Sequence, residues 1–77
     1  MTLADVPPSS SCRVVQAAPE AADLQSRLYA LGIFPGVTVS VLRVAPLGDP
    51  IHVKVGTSLL SIRHQDAALV EVEEDDS

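Results

Sequence analysis

Arg27-Leu28-Tyr29-Ala30-Leu31-Gly32-Ile33-Phe34-Pro35-Gly36-Val37 reads as the last turn of a helix, a glycine stop, a tight turn and the start of a strand. Leu24, Leu28 and Leu31 stand at i, i+4 and i+7, which places the three leucines on one helical face. Gly32 follows the last of them and suits the C′ position, where the backbone turns left-handed and a Cβ would clash. Pro35-Gly36 supplies a type II turn: proline presets φ at the second position, and glycine accepts the positive φ of the third. From Val37 the pattern changes to strict alternation, with Val37, Val39 and Val41 separated by Thr38 and Ser40. A short amphipathic helix is thus wired into a β-sheet by a fixed turn.

Upstream, Met1 to Val6 is an apolar lead-in with Leu3 and Val6 available to pack, and Pro7-Pro8-Ser9-Ser10-Ser11 is a connector. Residues 12–17 read as a first strand, with Val14, Cys12 and Gln16 expected on one face. The helix is expected over 20–31, its N-terminus favoured by Glu20 and Asp23 through the helix dipole. Downstream, residues 37–45 form a long strand with an informative defect. The apolar phase passes from Val37, Val39 and Val41 to Leu42 and Val44, and a slip of one residue is what a β-bulge or sharp bend produces.

Pro46-Leu47-Gly48-Asp49-Pro50 is a hairpin loop, after which Ile51, Val53 and Val55 alternate with His52 and Lys54. Gly56-Thr57 turns the chain into 58–62, where Leu60 and Ile62 are expected to face inward. A helical turn over 64–68 and a closing strand over 69–73 complete the pattern. The expectation is a mainly β fold. It is a small five-stranded SH3-like barrel with one short α-helix after the first strand and a helical turn before the last. A single domain is expected over 1–74, with a mobile acidic tail over 75–77.

Composition narrows the function. Apolar residues make up 47% of the 77 and charged residues only 19%, so the chain is not disordered. One Tyr and one Phe are too few for the stacking platforms that bind single-stranded nucleic acid. Net charge is −5, yet residues 1–70 carry as many bases as acids, and Glu71, Glu73, Glu74, Asp75 and Asp76 supply the excess. A neutral body offers no electrostatic footprint for nucleic acid. The single Cys12 excludes an internal disulfide, and no apolar stretch reaches the length of a membrane span. A soluble cytoplasmic protein without direct membrane insertion is expected.

Four blocks carry a family resemblance. The N-terminal Met-Thr-Leu-Ala-Asp, the segment from Arg27 to Gly36, the loop from Ala45 to Pro50 and the run Leu60-Ser-Ile-Arg-His-Gln-Asp-Ala67 occur in this order across nearly the whole chain. Together they resemble the FeoA family of ferrous-iron transport accessory proteins. The resemblance implies an SH3-like barrel, a cytosolic location in a bacterium, and work alongside FeoB, the ferrous-iron permease with a cytosolic GTP-binding domain. Ser10-Ser11-Cys12 stand where family members usually carry glycines, and the acidic C-terminus is not part of the family pattern.

Enzymatic and metal-binding arrangements are poorly served. A thiolate nucleophile would need Cys12 beside His52 or His64, but no pattern supplies an orienting group or an oxyanion site. His52, His64, Cys12, Asp49 and Asp66 offer ferrous-iron ligand chemistry, yet no two stand at a ligand spacing. Asp66 is expected to cap or solvate its helical turn. No cofactor, catalytic residue or metal ligand is therefore assigned. The acidic terminus is read as solubilising.

The remaining reading is an interaction module. Leu31, Ile33 and Phe34 at the helix end and Leu47 at a loop tip are apolar residues placed where a rigid scaffold exposes contacts, and Arg27, Arg43 and Arg63 could add rim charge. Ile33 and Phe34 admit a second role, folding back on the helix as the apolar contact of its C-cap. The expected function is a non-enzymatic accessory protein of ferrous-iron uptake that contacts the cytosolic domain of an FeoB-like permease. The alternative is a stand-alone relative of the SH3-like C-terminal domain of iron-dependent repressors, binding a peptide or modulating a metal site. Nothing in the pattern fixes the oligomeric state.

Overall fold

The computed structural model describes residues 1–75. Its sheet consists of β1 (Ser10–Ala17), β2 (Thr38–Val44), β3 (Ile51–Val55), β4 (Ser58–Ile62) and β5 (Val70–Glu74). Helix α1 (Ala22–Ala30) joins β1 to β2, and α2 (His64–Ala67) joins β4 to β5. Every pairing is antiparallel, in the order β4-β3-β2-β1-β5. This is the five-stranded, mainly β, SH3-like arrangement that the alternation predicts.

The turn after α1 forms as its residues require. The Ile33 N–H donates to the Leu28 carbonyl at 2.9 Å and the Gly32 N–H to the Tyr29 carbonyl at 3.0 Å, which is a Schellman cap. Gly32 holds φ +94° there. The Val37 N–H then donates to the Phe34 carbonyl at 3.2 Å across Pro35-Gly36. Two bonds to Val14, from the Gly36 N–H at 2.8 Å and to the Val37 carbonyl at 2.9 Å, pin this turn on β1.

Helix α1 is shorter at both ends than expected. The Ala21 N–H bonds the Ala18 carbonyl at 3.1 Å in a turn that keeps Glu20 outside the helix. Leu31 is the C-cap and its side chain is 46% exposed, so of the three leucines only Leu24 and Leu28 face the core. The chain reverses at Gly32 one residue later, and Leu31 is carried out with it.

Two bulges coil the sheet. In β2, Val41 faces Val53 and Arg43 faces His52, which leaves Leu42 as the extra residue. In β1, Val14 faces Val72 and Gln16 faces Glu71, which makes Val15 the extra one. Each bends its strand and adds right-handed twist. The phase slip at Leu42 marks the first bulge, but Leu42 and Val44 stay exposed rather than turning inward. Beyond the bulge, β2 leaves the core and runs out to its loop. The second bulge puts Ala17 in the core and exposes Gln16, so Gln16 does not share the buried face of Cys12 and Val14 as alternation predicts.

The core is aliphatic, with Leu3, Val14, Ile33, Val39, Val41, Val53 and Val70 fully buried and no buried polar side chain among the described residues. The lead-in covers one edge of the sheet. Thr2 bridges Glu71, and the Met1 carbonyl accepts the Val72 N–H at 2.9 Å, so the outer side of β5 is partly occupied. Glu71, Glu73 and Glu74 belong to β5, so the acidity expected of a tail is largely the face of a strand. There the Glu73 carboxylate receives the Arg13 guanidinium of β1. Of the expected mobile tail, Asp75 is half-buried, and Asp76 and Ser77 lie outside the described residues.

Candidate interaction surface

Two grooves flank β4. The first, about 210 Å³, runs between α1 and the β4–α2 corner and is lined by Leu24, Arg27, Leu28 and Leu31 on one side and Ser61, Ile62, Arg63 and Asp66 on the other. The amphipathic helix dictates this. Leu24 and Leu28 pack inward, and the residues on their flank, Arg27 and Leu31, form the groove wall. The second groove, about 260 Å³, lies on the outer face over β2, β3 and β4, lined by Leu42, Arg43, His52, Val53, Leu59, Leu60 and Ser61. Here cross-strand register sets the neighbours: Arg43 faces His52, and His52 faces Ser61, whose hydroxyl lies 3.0 Å from the His52 Nδ1. Ser61 lines both grooves.

Of the residues expected to carry contacts, the structure brings some together and separates others. Arg27 and Leu31 share the α1 groove, and Arg43 lies in the outer one. Phe34 is half-exposed and packs edge-to-face on Tyr29 of α1, with ring centroids 6.2 Å apart. Leu47 is fully exposed at the tip of the β2–β3 loop and lines neither groove. The Asp49 carboxylate accepts the His64 N–H at 3.0 Å, which moors that loop beside Arg63. Ile33 is the exception. It is 0% exposed, so it is the apolar contact of the helix cap and a core residue with no surface to offer a partner.

Leu59, Ser61, His52 and Leu42 belong to the grooves but lay outside the expected set. A signal existed for Leu59: if Leu60 and Ile62 face inward, Leu59 between Ser58 and Leu60 must face out.

The Cys12 thiol is a core group rather than a presented nucleophile. Cys12 is 1% exposed with its thiol 3.6 Å from the Val39 carbonyl oxygen, and burial, with Asp75 adding to it, pushes its pKa up to about 11. A thiol so protonated is not a nucleophile at neutral pH. Asp5 is held below the usual carboxylate range by the Thr2 backbone N–H, which donates to it at 2.9 Å in a turn at the N-terminus. Among the described residues, no three His, Cys, Asp or Glu side chains converge as a metal site requires, and no helix is long and apolar enough to cross a membrane.

The fold and surface therefore define a small SH3-like barrel with two grooves beside its β4 strand. Residues 1–74 match the FeoA domain, and the chain belongs to that family. A relative described as an Fe(2+) transport protein A/Fe(2+) transporter FeoB fusion protein, from Porphyromonas gingivalis, is 37% identical over 49 residues, which cover 64% of this chain and 6% of the relative. The solution structure of iron(II) transport protein A from Clostridium thermocellum superimposes with a TM-score of 0.88 at 34% identity, over 96% of this chain and 45% of that one. FeoA from Stenotrophomonas maltophilia, solved with zinc and described as an SH3 domain protein, gives 0.82 at 30% identity over 95% and 89%. The chain thus spans a small part of the fusion relative and less than half of the clostridial protein. IdeR of T. acidophilum shares the fold, with a TM-score of 0.82, at 21% identity over 97% of this chain and 34% of that one. That is a likeness of fold alone.

Proposed function

We propose that the protein is a non-enzymatic, cytosolic accessory factor of ferrous-iron uptake that docks on the cytosolic part of an FeoB-type permease. The observation that carries this reading is the fusion relative, in which an FeoA domain and an FeoB transporter share one polypeptide. Tethering of that kind raises the effective concentration of two domains whose contact is weak alone. Leu31, Phe34 and Leu47, with Arg27 and Arg43, supply the contact surface: exposed apolar residues on a hydrogen-bonded scaffold with basic groups beside them. Docking shifts the permease between conformational or nucleotide-bound states, by no more than its differential affinity for them.

The test is a calorimetric titration against the cytosolic domain of the permease from the same organism. It is run with GDP, with a non-hydrolysable GTP analogue, and with and without Fe²⁺ under anaerobic conditions. Binding that depends on the nucleotide supports a factor that reads the permease's state. Absence of binding in every condition refutes docking on the soluble domain.

A further inference from the structure

We propose that the free edge of β4 is a strand-addition site for an extended acidic segment of a partner protein; this rests on the docking reading above and names the chemistry of what docks. The two edges of the sheet are treated differently. The outer side of β5 is partly covered by Met1 and Thr2, whereas β4 pairs with β3 alone and, among the described residues, receives no backbone hydrogen bond from any other element. Gly56-Thr57 makes a two-residue hairpin, with Val55 facing Ser58. In such a hairpin the closing pair is hydrogen-bonded and the pattern alternates, which directs the amides and carbonyls of Leu59 and Ser61 away from β3. Natural edges are commonly blunted by charge or proline. Ser58-Leu59-Leu60-Ser61-Ile62 carries neither, and Leu59 is 72% exposed.

The grooves supply the second half of the arrangement. Alternate side chains of an added strand point to opposite faces. On one side they meet the groove walled by α1, and on the other the outer groove over Arg43 and His52, with Ser61 common to both. Strand addition uses backbone bonds for affinity and such alternating pockets for selectivity.

Charge selects the occupant. Of the five Lys and Arg residues, Arg13 is paired with Glu73 on the far side of the sheet. The other four surround the free edge. Arg27 and Arg63 line the α1 groove, Arg43 lines the outer one, and Lys54 faces Leu59 across the ladder. Among the described residues none of these four is ion-paired. Asp66 is the acid that lines the α1 groove, and the Asp49 carboxylate is engaged by the His64 N–H. A second copy pairing through its own β4 would bring like charges together, so the edge favours an acidic strand over itself.

The test is fluorescence anisotropy with two labelled peptides, one alternating Val and Glu and one alternating Val and Lys, titrated with the full chain. The Val/Glu peptide is expected to bind with an affinity that falls as salt rises, and the Val/Lys peptide about tenfold or more weaker. L59P removes an outward N–H that the fold does not use and should abolish binding. S61E should weaken it about tenfold while S61K retains it, each with a circular dichroism spectrum like the parent's. Equal binding of the two peptides, no binding of the acidic one, or indifference to S61E overturns the proposal. A parallel titration with the permease domain separates the two readings. If that domain binds the parent chain and S61E equally, docking stands and the β4 edge is not its route. If it binds neither while the acidic peptide behaves as expected, the edge stands and the identity of the partner falls.

Discussion

Leu31 and Ile33 are both aliphatic, lie two residues apart, and are both candidate contact residues in the sequence; truncating each to alanine should give opposite results. Ile33 is 0% exposed and its N–H closes the helix cap, so I33A empties a core site on a stiff turn. Losses for such truncations run to about 2–5 kcal/mol. The whole fold should be stable by only ~4–12 kcal/mol, taking ~0.05–0.15 kcal/mol per residue. At ~4–8 °C per kcal/mol for a domain of this size, I33A should lower Tm by roughly 8–40 °C. Leu31 keeps 46% of its surface in water as the parent chain stands. Since full burial of a leucine is worth ~1.5–3 kcal/mol, L31A should cost about 1 kcal/mol or less, a Tm change of no more than a few degrees. Its effect belongs in partner binding, because it forms one wall of the α1 groove. Thermal melts followed by circular dichroism, with urea titrations to give the free energies, read both. Equal losses of Tm in the two variants would refute the division of this turn into a core residue and a groove residue.

Three further outcomes follow from local geometry. G32A and G36A should each cost about 1–2 kcal/mol in urea titrations, because both glycines hold φ near +90° and a left-handed backbone penalises any Cβ. A new Cβ at Gly32 meets Val55 Cγ1 at an ordinary 3.5 Å and at Gly36 meets nothing, so crowding should not separate the two losses. Cys12 has a folded-state pKa of about 11 against an ordinary value of 9.0. The unfolded chain therefore releases this proton first, so stability should hold below pH 9 and decline as pH rises from 9 towards 11. Urea midpoints across that range, compared with C12A, check it; a C12A slope equal to the parent's would place the effect elsewhere. L47G should leave Tm within a few degrees, since Leu47 is fully exposed at φ +70° and glycine relieves that strain while adding freedom to the unfolded chain. The same change should weaken permease binding in the calorimetric titration, and a large fall in Tm would show that Leu47 packs.

How much of this was legible depends on the range of the interaction involved. The helix stop, the Pro35-Gly36 turn and the bulge at Leu42 are each decided by neighbours a few residues away, and each appears where the sequence places it. The errors cluster where local periodicity meets a second strand. Alternation puts Gln16 on one face with Cys12 and Val14 because it assumes an unbroken ladder, and the bulge at Val15 exists only relative to β5, over fifty residues away. Leu31 shares the helical spacing of Leu24 and Leu28, but the chain reverses at Gly32 before that turn is completed, so Leu31 does not follow them into the core.

The grooves were invisible for a deeper version of the same reason. Arg27, Arg43 and Arg63 are scattered through the sequence, and they surround one strand only because the order β4-β3-β2-β1-β5 leaves β4 outermost with α1 beside it. The hairpin between β3 and β4 can be read from Gly56-Thr57 and the alternation on either side. Whether a further strand lies beyond β4 cannot, since an edge is defined by what is absent from its far side and no local window of sequence records that. The proposed docking surface of this small barrel is accordingly the part of it that depends most on topology and least on motif.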